Sequence, residues 1–527
     1  MAFRELCFPK GFALQPSQRE AAELMGPNAK GETLGLLLFH KIGSGKTCAA
    51  IRVCEAWKGR RRLVVVLPAS LVGNFYKELR TGCVGTPAYG QTDAETRALA
   101  AEAGYEVMSY HKFVRLVTSK AMDLRNAVLV MDEVQNVISQ RGSFYAAVLA
   151  AVMAAPPDLR VVLMSATPIF DRPVELALAV NLLRPAEPLP ATSAAFNQAY
   201  VERYVDEGGK AGLRLANREQ LRARLEGLVS YSEGAPAAAF PRLTVRRVRC
   251  RMSAYQYRSY LAVERQSGGP SFKDILSLPN DFLLALRTIS NVAFPERGVG
   301  QDGAEAFRGA ALSMDGEDGL LRHSTKFHRI VRALRRAPGP AFVYSNFRSH
   351  GGLGSLALAL EHAGYLEFSG PNGPNGPNGP QGLVDPTPKK RFAWWTGDTP
   401  VAARDAMLTV YNSPENRDGA LIKVILGSPA MKEGVSLVGC RSVHIMEPYW
   451  NTSRIAQIMG RAVRMCSHKA LPAEDREVTV SLYLAVAPVG AGRGQKNRSV
   501  DEHIVDIAEA KEGLINEFYE VLRDAAV

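Results

Sequence analysis

Short apolar runs, each closed by a polar or glycine-bearing turn, recur along this chain in two series, and no other feature constrains its fold as much. The first series is Leu34 to Phe39, Leu63 to Leu67, Glu106 to Met108, Ala127 to Met131 and Arg160 to Met164. The second is Ala341 to Tyr344, Phe392 to Trp395, Ile422 to Leu426, Ser442 to Met446 and Val478 to Val486. Most runs lead into a helical pattern. Strands covered on both faces read as continuous apolar runs, and parallel neighbours need crossover helices. The spacing therefore predicts an α/β protein with two parallel-sheet lobes, over residues 1–182 and 323–490. Residues 183–322, rich in Ala, Leu, Arg and Glu with Pro-rich breaks, read as a mainly helical insertion. Within it, RLTVRRVRCRMSAYQYRSY carries the crossing between lobes near 245–252. Residues 491–527 read as a basic loop and a C-terminal helix, capped by Ser499 with Glu502 and packed on the second lobe. The stretch GPNGPNGPNGP predicts a flexible surface loop.

Composition narrows the function classes. With 527 residues, 46% hydrophobic and 22% charged, the chain is neither disordered, collagenous nor mostly membrane-embedded. Its 64 Lys and Arg against 52 Asp and Glu give a net charge of +12, a field that favours polyanionic partners. Seven cysteines form no ligand-spaced pair, so neither a zinc site nor a disulfide framework is expected, and a reducing compartment fits. There is no signal-peptide pattern, and the longest apolar run, Ala146 to Ala155, is about half a membrane span. A soluble intracellular protein without a membrane partner is the expectation.

Chemistry concentrates where strands end. LGLLLF runs into His40 and then KIGSGKT, with a helix beginning at Thr47. Gly43, Ser44 and Gly45 would turn backbone N–H groups towards phosphate oxygens, Lys46 would supply a cation, and the Thr47 hydroxyl suits magnesium. His40 stands where the GxxxxGK(S/T) pattern has its first Gly. The run AVLVM ends in Asp132, Glu133, Val134 and Gln135. Here Asp132 would hold magnesium while Glu133 positions and deprotonates water. VVLM ends in Ser165, Ala166, Thr167 and Pro168, a hydroxyl-bearing turn in the same position relative to its strand. Near the C-terminus TSRIAQIMGRAVRM, capped by Asn451, predicts a helix from Thr452 to Met465. That helix would place Gln457, Arg461 and Arg464 at i, i+4 and i+7 on one face. Paired arginines suit charge growing on a transferring phosphoryl group, the alternative being a surface basic stripe. Trp394, Trp395, Tyr449 and Trp450 read as packing residues, with stacking on bases as the alternative, and the arginines of RLTVRRVRCR and RIVRALRR as solvated faces, with contact to DNA as the alternative.

In this order the motifs resemble the superfamily 2 helicase-like ATPases: GSGKT, DEVQ, SATP and QIMGRAVR look like motifs I, II, III and VI. The closer similarity is to the helicase-like family of large nucleocytoplasmic DNA viruses, which includes the poxvirus early transcription factor small subunit and nucleoside triphosphatase I. It is carried by LPASLVGNFYKEL, VMDEVQNVIS, SATPIFDRPVELALAVNLLRP, FVYSNF, ILGSPAMKEGVSL and HIMEPYWNTSRIAQIMGRAVRMCSH. The resemblance implies two RecA-like lobes with ATP between them, and ATP and Mg2+ as cofactors. It implies that Gln18 reads adenine, that Gly434 and Ser436 belong to motif V, and that Gln135, Ser165 and Thr167 link ATP state to lobe closure. The implied activity is nucleic-acid-stimulated ATP hydrolysis by a DNA helicase or duplex translocase linked to viral transcription. Duplex DNA is the preferred track, with single-stranded DNA or RNA as alternatives. Viral RNA polymerase or a second transcription-factor subunit would be protein partners, in host cytoplasm or nucleus, with packaging in the virion. The rival reading is a non-motor transcription factor in which ATP only switches DNA or polymerase binding.

Overall fold

The computed structural model describes residues 3–8, 11, 14–29, 33–41, 43–81, 83–84, 89–138, 144–205, 207, 211–266, 275–276, 278–279, 281–297, 300–309, 319–370, 390–431, 435–490 and 498–527. The GPN repeats, Gly434 and residues 491–497 of the basic loop lie outside them. Two compact units result: Met1–Ala239 with Ala510–Val527, and Phe240–Glu509.

The first unit contains β1 (Gly35–His40), β2 (Arg62–Leu67), β3 (Tyr105–Ser109), β4 (Ala127–Asp132), β5 (Arg160–Ser165), a hairpin of β6 (Val201–Val205) and β7 (Ala211–Leu215), and β8 (Val229–Ser232). Six of these form a wholly parallel sheet in the order β3-β2-β4-β5-β1-β8. Every residue of β1 and β4 is buried, the burial that their unbroken apolar runs foretell. Helices α1 (Pro16–Met25), α2 (Lys46–Trp57) and α3 (Val72–Thr81) belong to the same unit. Pro16 opens α1 at a position where its missing N–H costs nothing. Ala49, Ile51 and Val53 of α2 join Leu36, Leu38, Val65, Val128, Val130 and Val162 in one core.

The second unit holds β9 (Arg242–Arg251), β10 (Ala341–Tyr344), β11 (Leu366–Glu367), β12 (Arg391–Trp395), β13 (Val424–Gly427), β14 (Ser442–Ile445) and β15 (Glu477–Val486). They form a second parallel sheet in the order β11-β12-β13-β10-β14-β15-β9. Helices α4 (Thr325–Arg336) and α5 (Thr452–Met459) complete what the site requires. Ile330, Val331 and Leu334 of α4 pack with Cys250, Val343 and Leu426. The architecture is that of two RecA-like lobes.

Three expectations need correction. Residues 183–322 are not one mainly helical insertion: β8 completes the first sheet, and β9 joins the second along all of β15, from Arg242 beside Glu477 to Arg251 beside Val486. Both strands lie at sheet edges, so neither carries the doubly buried apolar run that marks a central strand. The C-terminal helix, Val500–Asp524, begins with the expected capping box, Ser499 N to Glu502 Oε2 at 3.1 Å and Glu502 N to Ser499 Oγ at 3.3 Å. Ile504 and Ile507 pack with Tyr449 and Trp450 in the second unit, but beyond Glu509 the helix belongs to the first, where Phe518 meets Phe196 and Lys511 pairs with Asp171. Finally, Cys48 and Cys83 are joined by a disulfide, although the cysteine spacing gave no sign of one. They are 35 positions apart, with Cα atoms 5.0 Å apart, and short-range spacing rules are blind to such a pair. Among the described residues no helix is long and apolar enough to cross a membrane.

Candidate active site

Strand order gathers the candidate residues of the first unit. β5 lies between β4 and β1, with Ser165 beside Phe39 and Met164 beside Asp132. The carboxyl ends of three strands therefore bring the Gly-Ser-Gly-Lys-Thr loop, the Asp-Glu pair and the Ser-Ala-Thr turn together, at the edge where open α/β sheets receive ligands.

After β1 the chain turns through Gly43 at φ 84° and Gly45 at φ 71°, conformations that glycine adopts without steric cost. A Cβ at Gly45 would also collide with the Gln18 amide. The helical ladder of α2 begins with Ala49 N to Gly45 O at 3.1 Å, which leaves the N–H groups of Lys46, Thr47 and Cys48 ahead of it. Such a helix start favours anions. Lys46 Nζ donates to His40 O at 2.9 Å. Gln18 Nε2 donates to Ser44 O at 3.1 Å and Gly45 O at 3.4 Å, while its Oε1 accepts from Gln15 N at 3.0 Å. The buried Ser44 hydroxyl has no hydrogen-bond partner among the described residues. His40 is wholly buried, its Nε2 2.9 Å from Ser230 Oγ on β8. Burial and the Lys46 charge lower its pKa to about 4, so it is neutral near pH 7.

Asp132 closes β4, and Glu133 follows with φ 50°, an uncommon conformation for a residue with a side chain. Glu133 N donates to Asp132 Oδ1 at 2.8 Å. From Glu133 a chain of hydrogen bonds runs to the next strand. Gln135 Nε2 donates to Glu133 Oε2, Ser165 Oγ donates to Gln135 Oε1 at 2.7 Å, and Thr167 N donates to Ser165 Oγ at 3.0 Å. Tyr110, whose hydroxyl donates to Asp132 O, was not legible as a site residue; nothing in its sequence neighbourhood marks it.

In the second unit, α5 starts as expected, with Asn451 Oδ1 accepting from Arg454 N at 3.3 Å. It does not continue to Met465. It ends at Met459 with Gly460 as its C-cap, and the chain leaves through Arg461 N to Ile458 O at 3.1 Å and Ala462 N to Met459 O at 3.0 Å. Glycine is a poor helix former, and here it closes the helix. Gln457 is thus helical, whereas Arg461 and Arg464 stand on the turn beyond and share no helical face with it. Arg461 is buried, and its carbonyl accepts from Leu437 N at 2.9 Å. Arg464 Nε donates to Gly460 O at 3.0 Å. Ser436 is fixed through its carbonyl, which accepts from Asn412 Nδ2 at 3.0 Å. Asn412 also accepts from Val438 N at 2.8 Å, a brace that sequence reading missed. Trp450 and Trp395 are core residues, and Arg454 lies over the Tyr449 ring at 4.4 Å.

Comparison with known proteins gives the family of the chain. Residues 16–176 match the DEAD/DEAH box helicase family and residues 383–466 the helicase conserved C-terminal domain. A protein of Acanthamoeba polyphaga mimivirus that carries the name of an ATP-dependent RNA helicase is 35% identical over 92% of this chain and 85% of its own length. A termination factor NPH-I homolog of African swine fever virus (isolate Tick/South Africa/Pretoriuskop Pr4/1996) is 26% identical over 94% of this chain and 76% of its own. A helicase-named protein of Frog virus 3 (isolate Goorha) is 28% identical over 93% of this chain and 51% of its own. With its two parallel-sheet lobes, this chain belongs to the superfamily 2 helicase-like, ATP-hydrolysing enzymes of the large DNA viruses.

Proposed function

We propose that this enzyme is a motor that couples ATP hydrolysis to movement along duplex DNA, in the service of viral transcription. The observation that carries the reading is the hydrogen-bonded chain from Glu133 through Gln135 and Ser165 to Thr167. A hydrolytic base tied to the next strand's turn gives the state of the nucleotide site a path to the rest of the lobe. The term for transcription rests on the name of the African swine fever virus relative, and the choice of a polyanionic track on the +12 charge.

The residues present fit a nucleoside triphosphate. The N–H groups at the start of α2, the Lys46 ammonium and the unsatisfied Ser44 hydroxyl together form a cradle for phosphate oxygens. Thr47 and Asp132 supply hard oxygen donors of the kind that suit Mg2+, which would neutralise phosphate charge and order the β and γ oxygens. Glu133 positions the attacking water and accepts its proton. Lys46 releases His40 O to take up phosphate. Arg461 and Arg464 supply charge to the transferring phosphoryl group, and Gln457 stands on the helix that precedes them. Gln18, already set against the loop, meets the base.

The test is steady-state ATP turnover with no nucleic acid, duplex DNA, single-stranded DNA and RNA, paired with a triplex-displacement assay on duplex DNA. Largest stimulation by duplex DNA, with displacement of the third strand, is expected. Stimulation by RNA alone would move the track to RNA, as the name of the mimivirus relative has it. ATP-dependent DNA binding without stimulated turnover would replace the motor by a switch.

A further inference from the structure

The disulfide between Cys48 and Cys83 lies where it can act on catalysis. Cys48 is the third residue of α2, directly after Lys46 and Thr47. Its N–H is one of those ahead of the helical ladder. Cys83 follows α3, and both sulfur-bearing residues are buried in the core, among Phe75, Leu79 and Tyr89. Glu78, on α3, places Oε2 3.7 Å from Cys83 Sγ. With the cysteines it forms a cluster whose ligating atoms all lie within 4.8 Å of one another. Three other buried cysteines are unlike this pair. Cys54, Cys250 and Cys440 are free, and burial raises their thiols, the latter two to about 11, so they stay protonated and inert.

We propose that Cys48 and Cys83 are a reversible thiol-modification site that sets the affinity of the phosphate loop for nucleotide. Resting on the phosphate-loop reading above, the argument is mechanical. The glycines that shape the loop also free it, and the first turn of α2 is held from outside by the Gln18 hydrogen bonds, by packing and by this one covalent tether. While the tether is closed, the N–H groups of residues 46–48 keep one direction, as anion binding at a helix start requires. When it is open, the first turn can rotate and the cradle loosens, while Glu133 and its hydrogen-bonded chain are untouched.

The chemistry closes with ordinary thiol–disulfide exchange. A thiolate of a dithiol reductant attacks one sulfur of the bond, forming a mixed disulfide and releasing one cysteine, which takes a proton. The reductant's second thiol then closes its own disulfide and frees the other cysteine, so two electrons and two protons pass to the pair. In reverse, a low-molecular-weight disulfide forms a mixed disulfide on Cys48 and releases one small thiol. Cys83 gives its proton to Glu78, attacks Cys48 Sγ and expels the second small thiol.

The experiment uses the full chain purified without reductant. Mass spectrometry of a non-reduced digest should find the Cys48 and Cys83 peptides linked, and dithiothreitol should separate them. KM for ATP should rise on the order of 3- to 10-fold on reduction, the scale of one net hydrogen bond, with kcat nearly unchanged. Cys83→Ser should show the raised KM with no reductant present. Absence of the linked peptide, or equal KM in the two redox states of the wild-type protein, overturns the proposal. So does a wild-type KM in Cys83→Ser; if that variant does not fold, the wild-type redox pair decides alone. Failure of the phosphate-loop reading looks different, as normal turnover in Lys46→Ala, and leaves the peptide result standing.

Discussion

At the scale of single residues, the groups with chemistry were legible because they stand where strands end, and a strand end is visible in sequence as an apolar run meeting polar residues. Lys46 and Glu133 were read in that way; in the structure Lys46 donates to the His40 carbonyl and Glu133 accepts from Gln135. Lys46→Ala should leave the sheet intact, since its ammonium makes only the His40 carbonyl contact among those described, yet abolish ATP turnover. A melting temperature within about 2 °C of wild type, with turnover down at least 100-fold, is expected from the loss of a positioned cation. Glu133→Gln keeps size and hydrogen-bonding capacity but not basicity, so ATP should still bind and hydrolysis should fall by roughly 10² to 10⁴. Filter binding of labelled ATP alongside turnover tests both halves of that expectation, and unchanged turnover removes Glu133 from the mechanism. His40 shows what sequence could not supply. Its departure from the usual glycine is visible, but its partner Ser230 lies 190 positions away on an edge strand, and only the register of β1 with β8 brings them together.

At the scale of elements, the central strands and the edge strand β3 were read to within a residue or two, while the edge strands β8, β9 and β11 and the end of α5 were not. β9 was seen only as an arginine-rich crossing, because one of its sides has no neighbouring strand and its apolar content is low. The end of α5 at Gly460 was missed because the apolar spacing of Ala462 and Met465 continues a helical rhythm that the glycine interrupts. A deeper element-level feature had no signature at all. Lys326 at the start of α4 and Asp501 at the start of the C-terminal helix are fully buried and paired at 2.6 Å. Lys326 also donates to Asn291 Oδ1 at 2.9 Å, and Asp501 accepts from Ala485 N at 2.7 Å. Lys326→Met would bury Asp501 without its counter-charge, a change that costs about 3 to 5 kcal/mol in comparable sites. Lys326→Met with Asp501→Leu should recover most of that loss, because two apolar groups leave no uncompensated charge. Urea denaturation of the two variants checks this, and a double variant as unstable as the single one would show that the cost lies in packing.

At the scale of the whole molecule, the two-lobe α/β organisation followed from the two series of apolar runs, whereas the way the last helix is shared between units depends on side-chain packing that periodicity does not encode. The two units also carry different buried titratable groups, and this predicts that acid unfolds them unequally. In the second unit burial lowers His444 and His468 from 6.5 to about 4 each. Between pH 6.5 and 4 the unfolded chain therefore binds protons that the folded unit refuses, so the stability from these two groups is complete above about pH 6.5 and is lost as pH falls towards 4. Each contributes roughly 1 to 2 kcal/mol of loss by pH 5. The first unit has one such group, His40, lowered to about 4, but also Glu175, which burial raises from 4.5 to about 7. Glu175 works in the opposite sense: its folded carboxyl binds a proton more readily than the unfolded one, so stability rises as pH falls from 7 to 4.5. The two largely cancel, and the second unit should melt first on acidification. Three of the four tryptophans, Trp394, Trp395 and Trp450, lie in the second unit, so intrinsic fluorescence reports mainly on it. Thermal scans from pH 7.5 to 5 should show the fluorescence transition falling while hydrogen exchange in β1 and β4 stays slow. His444→Asn should remove about half of that fall. Equal loss of protection in both sheets would mean that these buried histidines do not govern the acid response.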